Sequence, residues 1–109
     1  MGKRRPRIPT PSGPTGTLHA AIVDDERDLH HLTADEAAVQ LETFLQGWSR
    51  RRAGAVVRVI TGRGNRSPSG PVLRPLVREL LAGRLAPLVE DHAVETGGGA
   101  YLIRVRGRN

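Results

Sequence analysis

The chain has 109 residues, 38% of them apolar and none of them cysteine, with a formal charge of +6. This length suits one domain with one small core, and the lack of cysteine excludes disulfide stapling and every thiolate metal site, as befits a cytoplasmic protein. No apolar run approaches the ~20 residues of a membrane-spanning helix, and the basic start has no apolar stretch behind it, so neither a membrane partner nor a secretory signal is expected.

Residues 1–17 are rich in Pro, Gly and Thr and carry Lys3, Arg4, Arg5 and Arg7. Such a segment buries too little apolar surface to offset its ordering entropy, so it is expected to be a flexible basic tail ahead of a domain spanning 18–109. Without those four cations, 13 basic residues face 11 acidic ones, a balance of +2. Affinity for phosphate must then come from local patches and the tail.

Leu18 to Val23 is apolar and reads either as an edge strand or as an extended segment lying on the domain. A short strand is predicted within Asp25 to Leu32, ending at His30-His31. Thr33 with Glu36 forms a capping-box pattern, in which hydroxyl and carboxylate reciprocally satisfy free backbone N–H groups. Ala37, Ala38, Leu41, Phe44, Leu45 and Trp48 then recur at helical spacing. Arg50, Arg51 and Arg52 suit the negative end of that helix's dipole, and Gly54 stops it. Ala55-Val56-Val57-Arg58-Val59-Ile60 is nearly continuous and β-branched, as a buried central strand should be. Pro71 can start a second helix, with Val72, Leu73, Leu76, Val77, Leu80 and Leu81 on its apolar face. Gly83 and Pro87 mark its end. Val89 to Glu95 and Ala100 to Val105 read as a hairpin around Gly97-Gly98-Gly99. The predicted fold is α/β, a two-layer sandwich in the order β-α-β-α-β-β.

Two segments carry candidate chemistry. In the first, Asp28 and His30 lie two apart, so on a strand they share a face. A carboxylate beside an imidazole orients it and stabilises its charged form, which suits a general base or acid. A bare Asp-x-His is more often a turn cap beside a satisfied polar residue. In the second, Gly62 and Gly64 follow a strand. The dinucleotide fingerprint fails because Ser67 holds the third glycine position, and no Gly-Lys-Ser/Thr follows for a nucleotide-triphosphate loop. What remains is either a plain strand-to-helix turn or a nest whose N–H groups approach a phosphate. Arg63 adds a planar fork matched to paired phosphate oxygens, and Arg66, Ser67 and Arg74 can widen the contact. Phe44, Trp48 and Tyr101 are the aromatic residues, and Phe44 and Trp48 read as core, which argues against recognition by base stacking. Asp24, Asp25 and Glu26 read as a solvated turn rather than a Mg²⁺ cage.

Taken together, Asp28-Leu29-His30-His31-Leu32-Thr33 and Thr61-Gly62-Arg63-Gly64-Asn65-Arg66-Ser67, with Leu73-Arg74-Pro75 beyond, resemble the small MutS-related (Smr) domain. That family's signatures are Leu-Asp-Leu-His-Gly and His/Thr-Gly-x-Gly, the latter continued in one branch by x-x-Ser and a later Leu-Arg-Pro. The resemblance covers roughly Asp25 to Arg106. The chain departs from it at Arg27, where the family has Leu, at His31, where it has Gly, and at Arg66, where many relatives have His. The resemblance implies nucleic-acid binding and, in many relatives, endonuclease activity on structured DNA or on mRNA at stalled ribosomes. Asp28, His30 and Arg63 would then be catalytic, and Gly62, Gly64, Arg66, Ser67 and Arg74 would bind nucleic acid. No cofactor or resident metal is expected for RNA, which supplies its own 2′-hydroxyl; Mg²⁺ enters if the substrate is DNA. A non-catalytic module for structured nucleic acid and a protein-binding accessory domain are the alternatives, and nothing in the sequence specifies an oligomeric state.

Overall fold

The structure, a computed structural model, describes residues 18–62 and 72–107. The basic tail, Arg63, Gly64, Arg66, Ser67 and the expected helix start at Pro71 lie outside the described residues. Within them the chain runs β1 (Asp25–Asp28), α1 (Ala34–Arg51), β2 (Val56–Ile60), α2 (Leu73–Ala82), a short 3₁₀ turn (Ala86–Leu88), β3 (Val89–Val94) and β4 (Ala100–Val105). It is a mixed α/β fold with one four-stranded sheet in the spatial order β1-β2-β4-β3.

Helix α1 begins where its capping chemistry dictates. The Thr33 hydroxyl accepts from the Glu36 N–H at 3.2 Å, and the Glu36 carboxylate accepts from the Thr33 N–H at 3.0 Å. Ala37, Leu41, Phe44 and Leu45 are buried on one stripe of the helix, as its apolar periodicity requires. Gly54, at φ +86°, turns the chain into β2. Helix α2 buries Leu73, Val77 and Leu81. Val72, expected on that apolar face, is half exposed instead, because it precedes the first full turn and points away from the core.

The alternation of β2 assigns its two faces. Val57 and Val59 join Tyr101 and Ile103 of β4 and the buried residues of both helices in the main core. Val56 joins Leu102, Ala93 and Leu18 in a smaller cluster on the other face. Leu18 thus covers the sheet, but not as a strand. Residues 18–20 are helical, Leu18 is fully buried and Ile22 is 85% exposed. The helical backbone of this segment and the packing of Leu18 on Val56, Ala93 and Leu102 set it across a sheet face rather than along an edge.

β1 pairs parallel with β2, from Asp25 opposite Val57 to Asp28 opposite Ile60. α1 is the crossover between them, so the carboxyl ends of β1 and β2 emerge side by side. In open α/β sheets this is where ligands bind. β4 runs antiparallel to β2, with Ala100 opposite Ile60, and so delivers the tip of the β3–β4 hairpin to the same end. Arg58 ties these parts together across the sheet. It donates to Glu26 of β1 at 3.1 Å and grips both carboxylate oxygens of Glu95, at the root of the hairpin loop. Among the described residues no helix is long and apolar enough to cross a membrane.

Candidate active site

β1 ends at Asp28, one residue before the fully buried Leu29. The Leu29 N–H still bonds Ile60 O at 2.8 Å, but the Leu32 N–H already turns back to Leu29 O at 3.0 Å. His30 therefore sits in a turn, not on the strand as its spacing suggests. It still falls on the side of Asp28, because Leu29 between them points into the core.

The Asp28–His30 contact is local and doubly made. Asp28 Oδ1 accepts from the His30 backbone N–H at 2.9 Å and from ring Nδ1 at 2.5 Å. The backbone bond holds the carboxylate in place, and the ring bond sets the imidazole. A carboxylate oxygen can only accept, so Nδ1 carries the proton and Nε2 is the basic nitrogen. Burial pushes the Asp28 carboxyl up, but the two His30 hydrogen bonds and the charges of His30 and His31 outweigh it, leaving its pKa below the usual carboxylate range. The pair is reachable from solvent, with the His30 and Asp28 side chains 49% and 42% exposed.

Gly62 stands against this pair. Its φ is +73°, and a Cβ there would lie 3.3 Å from His30 Cβ. Its N–H donates to Gly99 O at 3.0 Å, as does that of Thr61. Gly62 is thus a close-approach residue whose N–H is taken up by Gly99 O. Beyond it the hairpin tip meets α2: a Cβ on Gly98 would lie 3.7 Å from an Arg74 guanidinium nitrogen. Tyr101 Oη donates to Arg74 O at 3.2 Å and fixes the start of that helix. The described site residues, Asp28, His30, Gly62 and Arg74, are therefore linked through Gly98 and Gly99. Those two hairpin glycines were legible in the sequence only as a turn.

The acidic run at the start of β1 is engaged in structure. Asp24 accepts from the Val56 N–H at 3.0 Å and from Arg52 at 2.7 Å, which hold its pKa down. Asp25 accepts from the Trp48 indole at 3.0 Å, and Glu26 pairs with Arg58. These carboxylates serve the fold and do not converge on a cation. Arg27 lays its guanidinium 4.9 Å from the centre of the Phe44 ring, so its long stem covers apolar surface that a leucine would otherwise cover. His31 brings no backbone strain, since no described residue other than glycine has positive φ. Its ring stands edge-on to that of His30, centroids 5.7 Å apart. Asp28, His30 and His31 each offer one metal-ligating atom, and these atoms lie within 4.8 Å of one another.

The sequence model of the Smr domain matches residues 27–106, most of the chain and every described residue of this site. No curated protein and no solved structure matches the chain.

Proposed function

The chain belongs to the Smr domain family, and from that premise we propose that it binds nucleic acid and cleaves its phosphodiester bonds, acting on RNA or on structured DNA. The observation that carries this reading is the double hydrogen bond from His30 to Asp28 Oδ1. It holds the imidazole in the tautomer whose free Nε2 acts as a base, in an exposed turn at the carboxyl end of parallel strands.

In RNA cleavage, Nε2 of His30 takes the proton of the 2′-hydroxyl as that oxygen attacks phosphorus; the P–O5′ bond breaks, a 2′,3′-cyclic phosphate is left, and the departing 5′-oxygen takes a proton from water. Asp28 stabilises the imidazolium that forms, as an orienting carboxylate does in other acid–base pairs. The added negative charge on the phosphoryl oxygens is met by Arg63, whose fork spans two of them. Gly64, Arg66, Ser67 and Arg74 hold the flanking phosphates. Gly62 brings its own backbone close to His30. With DNA there is no 2′-hydroxyl, water must be activated, and Mg²⁺ bound with the substrate would supply that activation. Both helices packing on one sheet face supports a two-layer arrangement that leaves the strand ends open to a polymer. The cysteine-free chain suits a cytoplasmic setting, where ribosome-associated RNA is one available target.

The test is cleavage of labelled single-stranded RNA and of duplex and branched DNA, with and without EDTA, by wild type and His30→Ala. The variant should lose about 10²–10⁴-fold in rate with unchanged far-UV circular dichroism. Asp28→Asn should fall less, since it weakens orientation without removing the base. Wild-type rates in His30→Ala would reject the catalytic assignment. Binding without cleavage on any substrate would leave a non-catalytic module.

A further inference from the structure

The acid–base reading uses Asp28 and His30 but leaves His31 without a task. Among the described residues its contacts are the edge of the His30 ring and the charge of Asp28. We propose that Asp28, His30 and His31 together form a binding site for a divalent transition-metal ion of the Zn²⁺ class. The donor set decides the class of ion. Two imidazole nitrogens and one carboxylate oxygen suit Zn²⁺ and its neighbours, whereas Mg²⁺ prefers oxygen donors in a strict octahedron. Three protein ligands with a fourth position open to water is a common arrangement for zinc.

The geometry needs only side-chain rotation. In a tetrahedral site with bonds of about 2.0–2.1 Å, ligand atoms stand roughly 3.3 Å apart. Here the three donor atoms lie within 4.8 Å of one another. Asp28 Oδ1 and His30 Nδ1, at 2.5 Å, must open slightly around the ion, and the His31 ring must swing inward. Asp28 closes β1, and His30 and His31 sit in the exposed turn that follows it. The ion replaces the proton shared by Asp28 and His30, and that proton is released to solvent on binding. Metal and acid–base function therefore compete for the same two side chains. Transition-metal ions should inhibit cleavage, a consequence that rests on the acid–base reading, whereas the binding itself does not.

Two measurements on the full chain, stripped of metal, decide this. Titration calorimetry with Zn²⁺ and separately with Mg²⁺ should show one Zn²⁺ per chain and much weaker Mg²⁺ binding. His31→Gly, which restores the residue usual in the family, should fold normally and bind Zn²⁺ at least about tenfold more weakly, since even the outer-shell supports of metal ligands are worth that much. In NMR spectra, the ring resonances of His30 and His31 should shift with Zn²⁺ while those of His19 and His92 stay in place. Unchanged Zn²⁺ affinity in His31→Gly, or shifts at His19 or His92 instead, would overturn the site. In the cleavage assay Zn²⁺ should inhibit wild type but act at least tenfold more weakly on His31→Gly, and equal inhibition of both would overturn the proposal. If neither protein cleaves anything, the acid–base reading fails and the calorimetry still decides the metal site.

Discussion

Gly62→Ala tests how the glycine loop positions the histidine. The backbone at Gly62 has φ +73°, a left-handed conformation. Imposing it on an L-residue with a Cβ costs about 1–2 kcal/mol. In a domain of this size each 1 kcal/mol lowers Tm by roughly 4–8 °C. The new methyl would also stand 3.3 Å from His30 Cβ, so the His30 turn must give by a fraction of an ångström. A displacement of 1 Å can cost about 100-fold in rate, so a shift of a few tenths should cost several-fold, on the order of tenfold at most. Gly54→Ala is the matched control. Its φ of +86° carries a similar backbone penalty, but a Cβ there meets nothing within 4 Å. Both variants should lose comparable Tm in a thermal melt. Assayed well below either melting point, Gly62→Ala alone should cleave more slowly. Equal cleavage by the two variants at equal stability would refute the idea that Gly62 sets the place of His30.

The other expectations concern stability and the tail. Thr33→Ala removes half of the capping box and should cost about 0.5–2 kcal/mol in urea unfolding, with cleavage little changed once the protein is folded. Asp24 titrates below its ordinary value in the folded state because of the Val56 N–H and Arg52. Its contribution is thus present above its unfolded pKa near 3.9 and is lost as pH falls through the lower folded value. Asp24→Asn should therefore show a shallower loss of stability below about pH 4 than wild type, read from melts across an acid series. Deleting residues 1–17 removes four cations and should make the salt dependence of RNA binding shallower by roughly two to three in log–log slope, at about 0.7 per phosphate contact. Identical slopes with and without the tail would remove it from the nucleic-acid footprint.

Much of the fold was legible because it is local. The Thr33–Glu36 box, the stripe from Ala37 to Leu45 and the β-branched run of β2 each depend on residues within a turn or two of one another. The Asp28–His30 pair belongs to the same class, since its two hydrogen bonds span only two residues. The sequence by itself thus determined the helices, the central strand and the identity of the acid–base candidates, together with the family motifs that hold them. Tertiary structure decided what those residues meet. Asp24, Asp25 and Glu26 look like a solvated acidic turn until the sheet and α1 bring Val56, Arg52, Trp48 and Arg58 to them. Gly62 reads as a residue of either a plain turn or a nest, and only the antiparallel strand pairing brings Gly99 to its N–H. Leu18 reads as part of an edge strand or of a segment lying on the domain, and only the packing of Val56, Ala93 and Leu102 beneath it decides between them. These partners lie more than 20 residues away along the chain. Nothing in a local pattern encodes which distant group will satisfy a given donor or cover a given face; that choice is made only when the whole core packs.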